Sequence, residues 1–461
     1  MLINKEVHIH FIGIGGIGMS GIAEVLLSFG YRVSGSDLNR SDNTRKLESL
    51  GATVAIGHAK ENAAGATVVV YSSAIDEENP EIIYARGNKL PLMRRAEMLA
   101  ELMRLKKGVA IAGTHGKTTT TSLLATILQE SRFDPTYIIG GIVDNLKGHA
   151  KVGSGEFLVA EADESDGSFL LLNPIMSIIT NIDLDHMDFY KTEEKLLSCF
   201  VEFANKIPFY GILSLNIHDK YFSYIRERMK KPWTTFGIEK GEKEAADYQA
   251  SNISYDIEGS HFELLYKGEK RGDIHIELPG EHNVLNAVAA ISLAHQMGVE
   301  FEKISSSIQS FKGVDRRLQT IYKDQHLHVI EDYGHHPTEI SATVSTVRGI
   351  LPNDRLYVVF EPHRYSRTRD SWDQFLHCFN LADEVFLKPI YPASEKPLHG
   401  ITTSRLVSDI NKLHPKLATE FQDFSLLEEK LKNSSEQATI LVLGAGSIGK
   451  DARKWVESLR H

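Results

Sequence analysis

The sequence predicts an α/β protein with three domains. Glycine-rich loops that join an apolar strand to a helical pattern occur three times, starting at Gly13, Gly113 and Gly444. The length of 461 residues suits about three domains of ordinary size. Strand and helix patterns also alternate along the chain, which is typical of parallel sheets covered by helices. We place the domains at residues 1–105, 106–312 and 313–461.

Composition excludes several classes of protein. With 51 Lys and Arg against 61 Asp and Glu, the net charge of −10 argues against a general nucleic-acid binder. Cys199 and Cys378 are too few for a disulfide framework or a thiolate metal site, so we expect reduced thiols. The N-terminal residues run directly into a strand, and no apolar run approaches the ~20 residues of a membrane span. We therefore expect a cytoplasmic protein with no membrane or nucleic-acid partner.

The first domain begins with an apolar strand over residues 7–12 that enters a complete G-x-G-x-x-G motif. The loop contains Gly15, Gly16, Ile17 and Gly18, and a helix is predicted over residues 22–29. A second strand ends at Asp37, where an acidic residue usually holds a ribose hydroxyl. This pattern predicts a Rossmann-like nucleotide-binding domain. Alone it favours NAD, although any anionic diphosphate suits a helix N-terminus.

A second glycine loop opens the central domain. It reads Gly113-Thr114-His115-Gly116-Lys117-Thr118-Thr119. A buried strand precedes it and a helical pattern follows, which is the architecture of the phosphate-binding loop in P-loop ATPases. Lys117 would reach the β- and γ-phosphates, and the Thr118 hydroxyl would bind Mg²⁺. Ile111 replaces the first glycine of the strict motif, so this is a shorter variant, and an ordinary glycine turn is the alternative.

Polar residues follow the next two apolar strands. After residues 157–160 come Glu161, Asp163, Glu164 and Asp166. After residues 176–180 come Asp183, Asp185 and His186. Because Mg²⁺ prefers hard oxygen ligands, these residues predict a cation site near the phosphate loop. A solvated acidic loop and a structural histidine are the alternatives.

Amide side chains mark the start of a later helix in the same domain. His282, Asn283 and Asn286 lie in its predicted first turn. Amides at such a position can bond the edge of an adenine ring. The alternative is that Asn283 caps the helix, and both roles are compatible.

The third domain supplies a cluster of basic residues. A strand ending at Asp332 is followed by Tyr333, His335 and a helical pattern. The next strand is followed by His363, Arg364 and Arg367. Arginines at the carboxyl edge of a strand form a clamp for carboxylate or phosphate, and ligands bind at that edge in open α/β sheets. An exposed basic loop is the alternative. We interpret the final glycine motif, residues 444–449, as the structural end of a Rossmann-like domain.

Six motifs in order resemble those of the ATP-dependent Mur ligases. They are Gly113-Thr-His-Gly-Lys-Thr-Thr-Thr, Glu161-Ala-Asp-Glu-Ser-Asp, Asn181-Ile-Asp-Leu-Asp-His186, His282-Asn-Val-Leu-Asn286, Asp332-Tyr-Gly-His-His-Pro and Pro362-His-Arg-Tyr-Ser-Arg. The resemblance runs from about Val7 to the C-terminal helix. Within the family, the first glycine loop is more similar to the branch that joins L-alanine to UDP-N-acetylmuramate than to the recycling branch that attaches a tripeptide.

The resemblance implies a role for each candidate residue. The first loop would bind the UDP of UDP-N-acetylmuramate rather than NAD, in a pocket lined by Asp37, Ser72 and Ser73. ATP would lie on the loop from Gly113 to Thr119, with Asn283, Asn286 and Tyr333 beside it. Thr118 and Glu161 would hold one Mg²⁺, and His186 the second. The residues expected to grip the amino acid and the muramyl carboxylate are His335, His363, Arg364 and Arg367. The catalytic set implied is Lys117, Asn283, Arg317, Asp332 and His363.

The implied reaction is amide formation through an acyl phosphate, carried out by a monomer or homodimer. Some related ligases carry a carbamylated lysine about fifteen residues after the histidine that corresponds to His186. Val201 stands at that position, so no carbamate is expected. Two other classes remain open on the residues alone. A nicotinamide dehydrogenase would leave the phosphate loop without a purpose, and a nucleotide switch would bind ATP without turnover.

Overall fold

We describe the chain from a computed structural model. It covers residues 7–72, 74–143, 146, 148–241, 245–393, 395–432 and 436–459. The strands of these residues form sheets of five, ten and six strands. Three sheets with flanking helices confirm the predicted three-domain α/β fold, whereas the domain boundaries remain predictions. Across the described ranges, no helix has the length and apolar character that crossing a membrane requires.

The N-terminal sheet is parallel throughout. Its strands are β1 (His8–Ile12), β2 (Arg32–Asp37), β3 (Thr53–Ile56), β4 (Val68–Tyr71) and β5 (Leu92–Arg94). Its helices are α1 (Ile17–Ser28), α2 (Asp42–Ser49), α3 (Pro80–Gly87) and α4 (Arg95–Leu105), with a 3₁₀ turn at Lys60–Ala63. The spatial order is β3-β2-β1-β4-β5, so the direction of strand addition reverses between β1 and β4. Ligands bind at such switch points, where the first glycine loop lies.

A buried carboxylate holds helix α3 against the N-terminal sheet. Glu81 on α3 is fully buried and accepts hydrogen bonds from His10 (3.0 Å), Ser36 (2.7 Å), Asn62 (2.9 Å) and the Ala59 N–H (3.1 Å). Burial acts to raise the pKa of Glu81, but these hydrogen bonds outweigh it and the pKa lies below its usual value. The carboxylate therefore stays ionised and ties β1 and β2 to α3.

Replacing Glu81 with alanine should destabilise the N-terminal domain by about 3–5 kcal/mol, because it leaves buried donors unsatisfied. Urea unfolding followed by circular dichroism would measure the loss. Glu78→Ala is the matched control, since Glu78 lies on the same segment and is exposed. Equal stability of the two variants would contradict this view of the network.

The central sheet is the largest. Its strands are β6 (Lys107–Ala112), β7 (Thr136–Val143), β8 (Gly148–Lys151), β9 (Phe157–Glu161), β10 (Met176–Ile179), β11 (Ile212–Asn216), β12 (Trp233–Ile238), β13 (Tyr248–Asp256), β14 (Gly259–Tyr266) and β15 (Glu269–Ile276). Its helices are α5 (Lys117–Glu130), α6 (Met187–Tyr190), α7 (Glu193–Ala204), α8 (Phe222–Arg228), α9 (Glu281–Gln296) and α10 (Phe301–Ile308), with a 3₁₀ turn at Ser168–Leu171. The order is β15-β14-β13-β12-β11-β10-β6-β9-β7-β8. Since β6 lies between β10 and β9 and is parallel to both, the loops that follow these three strands meet at one edge.

The C-terminal sheet is parallel except for one edge strand. Its strands are β16 (Gln319–Lys323), β17 (Leu327–Asp332), β18 (Arg355–Phe360), β19 (Glu384–Leu387), β20 (Ala418–Glu420) and β21 (Ala438–Leu443). Its helices are α11 (Pro337–Ile350), α12 (Tyr365–Asp370), α13 (Trp372–Phe375), α14 (Thr403–Leu413), α15 (Ser425–Lys432) and α16 (Ile448–Leu459). The order is β16-β17-β21-β18-β19-β20, with β16 antiparallel.

Carboxylates of the C-terminal domain occupy the space beside the glycines of the final motif. A Cβ on Gly446 would lie 2.2 Å from Glu361 Oε2, and one on Gly449 would lie 2.0 Å from Glu331 Oε1. Glu361 also accepts the N–H of Ile448 (3.1 Å) at the start of α16. A buried side chain therefore fills the place that a ligand phosphate would take. This geometry supports the structural interpretation of the motif.

Candidate active site

The central glycine loop can be built only with glycine at two positions. Gly113 and Gly116 have positive φ angles of 131° and 79°. A Cβ on Gly113 would lie 2.0 Å from Thr180 Oγ1, and one on Gly116 would lie 2.3 Å from Asn286 Oδ1. The loop is therefore held between β10 and α9, and α5 starts directly after it at Lys117. Its backbone N–H groups and the start of α5 provide the anion site that the sequence predicts.

Lys117 is held ready at this loop. Its ammonium donates to the carbonyls of Gly113 (2.5 Å) and Thr114 (3.1 Å) and to Glu164 Oε2 (2.6 Å). Burial would lower the pKa of Lys117, but the charge of Glu164 outweighs it and raises the pKa. Burial raises the pKa of Glu164 to about 7 despite this ion pair. Lys117 is thus a cation at neutral pH, and its partner is a carboxylate that gains a proton easily.

The three predicted metal ligands, Thr118, Glu161 and His186, line one cavity beside the central glycine loop. Glu161 accepts the N–H of Gly140 (2.6 Å) and a hydrogen bond from Thr118. Burial raises the pKa of Glu161, so a nearby cation would stabilise its ionised form. His186 Nε2 lies 3.9 Å from Glu164 Oε1, and burial lowers its pKa. A hydroxyl, a carboxylate and a neutral imidazole are a donor set that fits a divalent cation.

A first cavity of about 520 Å³ opens on one side of the central glycine loop, residues 113–119, which we call the nucleotide loop after its predicted ligand. His115, Gly116 and Thr119 of the loop contribute to its wall. Asn283 and Asn286 also line it, as predicted for residues beside ATP. Asn283 Nδ2 donates to the Pro279 carbonyl (2.9 Å), while Gly280 caps the helix, so the alternative of Asn283 as cap is wrong.

A second cavity of about 530 Å³ opens on the other side of the loop. The predicted site residues that line it are Gly16, Ile17, Gly18, Ser72, Thr114, His115, Gly116, Lys117, Thr118, Glu161, His186, Arg317, Tyr333, His335 and Arg367. Tyr333 therefore faces the side of the first glycine loop rather than the cavity of Asn283. All three domains contribute to this second cavity.

Arg317 and Asp332 enter from the C-terminal domain. Arg317 lines both cavities, and Asp332 lines the first. Asp332 accepts the N–H groups of Gly334 (2.7 Å) and Leu318 (2.9 Å), which fixes the turn that carries Arg317. Burial raises the pKa of Asp332. The structure thus brings both predicted residues to the nucleotide loop.

The predicted basic cluster divides into two parts. The Arg367 side chain is 9% exposed, lies 3.4 Å from both oxygens of Asp185, and lines the second cavity. His363 is 3.3 Å from Arg367, and its ring packs against His335 with centroids 5.8 Å apart. Arg364 instead lines a small neighbouring pocket beside His186. His335 and Arg367 therefore face the second cavity directly, with His363 behind Arg367.

Only some of the residues predicted to bind UDP around the first glycine loop line the second cavity. Asp37 Oδ2 accepts the N–H of Gly15 (2.9 Å), so this carboxylate closes the loop on itself. Neither Gly15 nor Asp37 lines the second cavity, whereas Ser72 does. Ser73 lies outside the described residues.

Sequence reasoning missed the residue that joins several of these segments. Glu339 on α11 lies 3.3 Å from His115 Nδ1, 3.9 Å from Arg317 and 3.6 Å from His335 Nδ1. Its Oε2 also accepts the N–H of His336 (3.3 Å) in a capping box. The available signal was the spacing of Glu339 three residues after His336 at a helix start. The long-range contacts of Glu339 had no sequence signal.

Comparison with known families matches most of the chain. The model described as "Mur ligase family, catalytic domain" matches residues 8–107, and "Mur ligase middle domain" matches residues 111–294. The model described as "Mur ligase, glutamate ligase domain" matches residues 316–446.

Individual relatives agree with these matches. The UDP-N-acetylmuramate–L-alanine ligase of Geobacter sp. (strain M21) is 48% identical over 96% of each chain. That of Geotalea daltonii is 47% identical over 99% of each chain. The crystal structure of the UDP-N-acetylmuramate–alanine ligase of Thermotoga maritima has a TM-score of 0.81 at 30% identity, covering 98% of this chain and 99% of that one. A murein peptide ligase from Psychrobacter arcticus shares the fold, with a TM-score of 0.71 at 23% identity over 98% of each chain.

Proposed function

Because this chain belongs to the Mur ligase family, we propose that it is an ATP-dependent amide ligase that joins L-alanine to the lactyl carboxylate of UDP-N-acetylmuramate. Two relatives that are 48% and 47% identical to it are named UDP-N-acetylmuramate–L-alanine ligase, and the similarity extends over nearly their full length. The product would be the first peptide-bearing precursor of peptidoglycan. Since the reaction consumes ATP, we place it in the cytoplasm, and we propose a monomer or homodimer.

One observation supports this function above the others. The nucleotide loop lies between two cavities of about 520 and 530 Å³, and His115, Gly116, Arg317 and Glu339 line both. A nucleotide whose base occupies the first cavity would present its terminal phosphate to the second. The first glycine loop reaches the second cavity from the N-terminal domain. This arrangement suits transfer of a phosphoryl group from ATP to the carboxylate of a sugar nucleotide.

Activation of that carboxylate is the chemical purpose of ATP. A carboxylate oxygen is a poor leaving group, and phosphorylation converts it into a good one. We propose that Lys117 and Arg317 neutralise the charge that develops on the transferred group, since positioning and electrostatics dominate phosphoryl transfer. Asn283 and Asn286 would hold the adenosine side, and Asp332 would hold the turn of Arg317.

Two magnesium ions would share this charge. We propose that Thr118 and Glu161 hold one and that His186 holds the other. Mg²⁺ binds phosphate oxygens and offsets their negative charge during transfer. Glu161 is suited to this role because, within the described part of the chain, its carboxylate forms no ion pair, whereas Glu164 lies 2.6 Å from the Lys117 ammonium.

The amino acid would enter beside Arg367. We propose that Arg367 binds the carboxylate of L-alanine, which must displace Asp185 from the guanidinium, and that His335, His363 and Arg364 complete the clamp. Burial lowers the pKa of His335 to about 3 and that of His363 to about 4. Both rings are therefore neutral at neutral pH and able to accept a hydrogen bond from the incoming amine.

Phosphate release from ATP and Mg²⁺ tests the proposal. We expect release that requires both UDP-N-acetylmuramate and L-alanine, with other amino acids tested in turn. Release with a muramyl tripeptide alone would assign the chain to the recycling branch. ATP binding without release in any mixture would favour a nucleotide switch, and absorbance change with NAD would favour a dehydrogenase.

A further inference from the structure

Three side chains from distant parts of the sequence meet beside the nucleotide loop. They are His115, Asp183 and His336, and one potential ligand atom from each lies within 4.8 Å of the others. His115 Nε2 is 3.3 Å from Asp183 Oδ2, and His336 Nδ1 is 3.7 Å from the same oxygen. We propose that these residues form a transition-metal site, of the zinc type, between the central and C-terminal domains.

The spacing fits tetrahedral coordination. Zinc bonds to imidazole nitrogen and carboxylate oxygen are about 2.0–2.2 Å long, which separates neighbouring ligand atoms by about 3.4 Å. The two separations to Asp183 Oδ2 are close to this value. Small side-chain rotations would bring all three atoms to a common distance from one ion, and water would supply the fourth ligand.

The donor set separates this site from the one proposed for magnesium. Two imidazoles and one carboxylate suit Zn²⁺ or Co²⁺, whereas Mg²⁺ prefers oxygen ligands and retains water. The magnesium residues, Thr118, Glu161 and His186, face the second cavity. Asp183 lines the first cavity and not the second, while His115 lines both.

Neighbouring groups already orient two of the ligands. Glu339 Oε1 lies 3.3 Å from His115 Nδ1, so the opposite nitrogen faces the cluster. Thr338 Oγ1 donates to Asp183 Oδ2 (2.6 Å) and fixes the carboxylate. A carboxylate behind a metal-binding histidine is the usual arrangement around zinc.

His336 also presents a suitable nitrogen. Its Nδ1 accepts a hydrogen bond from the N–H of Thr338 at 3.4 Å, so the lone pair is on Nδ1. That bond is long, and a metal ion would compensate its loss. His336 caps α11, and His115 belongs to the nucleotide loop. A bound ion would therefore tie the C-terminal domain to this loop and resist domain opening.

Cobalt titration tests the site without using the ligase reaction. Co²⁺ is added to the whole protein in excess Mg²⁺, which occupies oxygen sites, and the strong visible absorption of four-coordinate Co²⁺ is recorded. His336→Asn removes the imidazole, while asparagine remains a good helix cap. His326→Asn is the matched control, because His326 is exposed and outside the cluster.

We expect the wild-type protein and His326→Asn to give the four-coordinate spectrum with equal affinity. His336→Asn should bind Co²⁺ roughly 100-fold more weakly, since changes even outside the ligand shell cost ~10–100-fold. Unchanged affinity in His336→Asn, or no four-coordinate absorption in the wild-type protein, would overturn the proposal. Circular dichroism of each variant would show that the loss does not come from unfolding.

Discussion

Replacing Lys117 with alanine should lower ligase turnover by roughly 10³-fold or more, because one preorganised cation at a transferring phosphoryl group accounts for an effect of this size. The ammonium of Lys117 is already held over the loop by the carbonyls of Gly113 and Thr114. The cation therefore lies at the loop before charge develops on the phosphoryl group. With the shorter, neutral alanine side chain, only Arg317 and the metal ions of the proposed mechanism would neutralise that charge.

The same substitution should leave the fold intact. Removing Lys117 takes away the partner of Glu164, a buried carboxylate 2.6 Å from the ammonium. An unpaired buried charge would normally be costly, but burial already raises the pKa of Glu164 to about 7. The carboxyl group can therefore take up a proton at neutral pH at little cost. This variant separates chemistry from stability.

Phosphate release and thermal unfolding, measured side by side, check this prediction. Lys107→Ala is the matched control, because Lys107 lies on the preceding strand, is exposed, and pairs with the exposed Glu156. The control should keep full turnover. Turnover of Lys117→Ala within tenfold of wild type would remove the loop from the proposed mechanism.

The sequence predicts those parts of the molecule that depend on local pattern. The strand, glycine loop and helix around Gly113 follow from the local sequence pattern, because backbone conformations such as those of Gly113 and Gly116 strongly favour glycine. The convergence of the loops after β6, β9 and β10 follows from parallel pairing, which brings the carboxyl ends of strands to one edge. That rule explains why the sequence predicts that Lys117, Glu161 and His186 lie near one another, and all three line the second cavity.

No comparable rule predicts the contacts between domains from the sequence. Glu339 reaches His115, Arg317 and His335 only because α11 packs over the nucleotide loop, and no periodicity encodes that packing. The side of the loop that Tyr333 faces depends on the same packing. One local detail of the prediction was also wrong, since α1 begins at Ile17 and not near residue 22.

Replacing Arg367 with alanine should raise the KM for L-alanine by roughly 100-fold or more, because truncating one partner of a buried charge pair costs about 2–5 kcal/mol. The Arg367 side chain is 9% exposed, and its contacts with Asp185 and His363 hold it at the second cavity. The KM for ATP should change little, since Arg367 does not line the first cavity. The substitution should therefore raise the KM for L-alanine and leave the KM for ATP nearly unchanged.

Steady-state kinetics with each substrate varied in turn would measure this selectivity. Arg367→Lys retains the charge but loses the planar fork, so its KM for L-alanine should fall between those of wild type and Arg367→Ala. Arg369→Ala is the matched control, because Arg369 lies on the same helix and is exposed. An unchanged KM for L-alanine in Arg367→Ala would contradict the assignment. Since Asp185 is released from its partner in the same variant, Asp185→Asn with Arg367 intact should keep or lower that KM, which separates loss of the clamp from disturbance of Asp185.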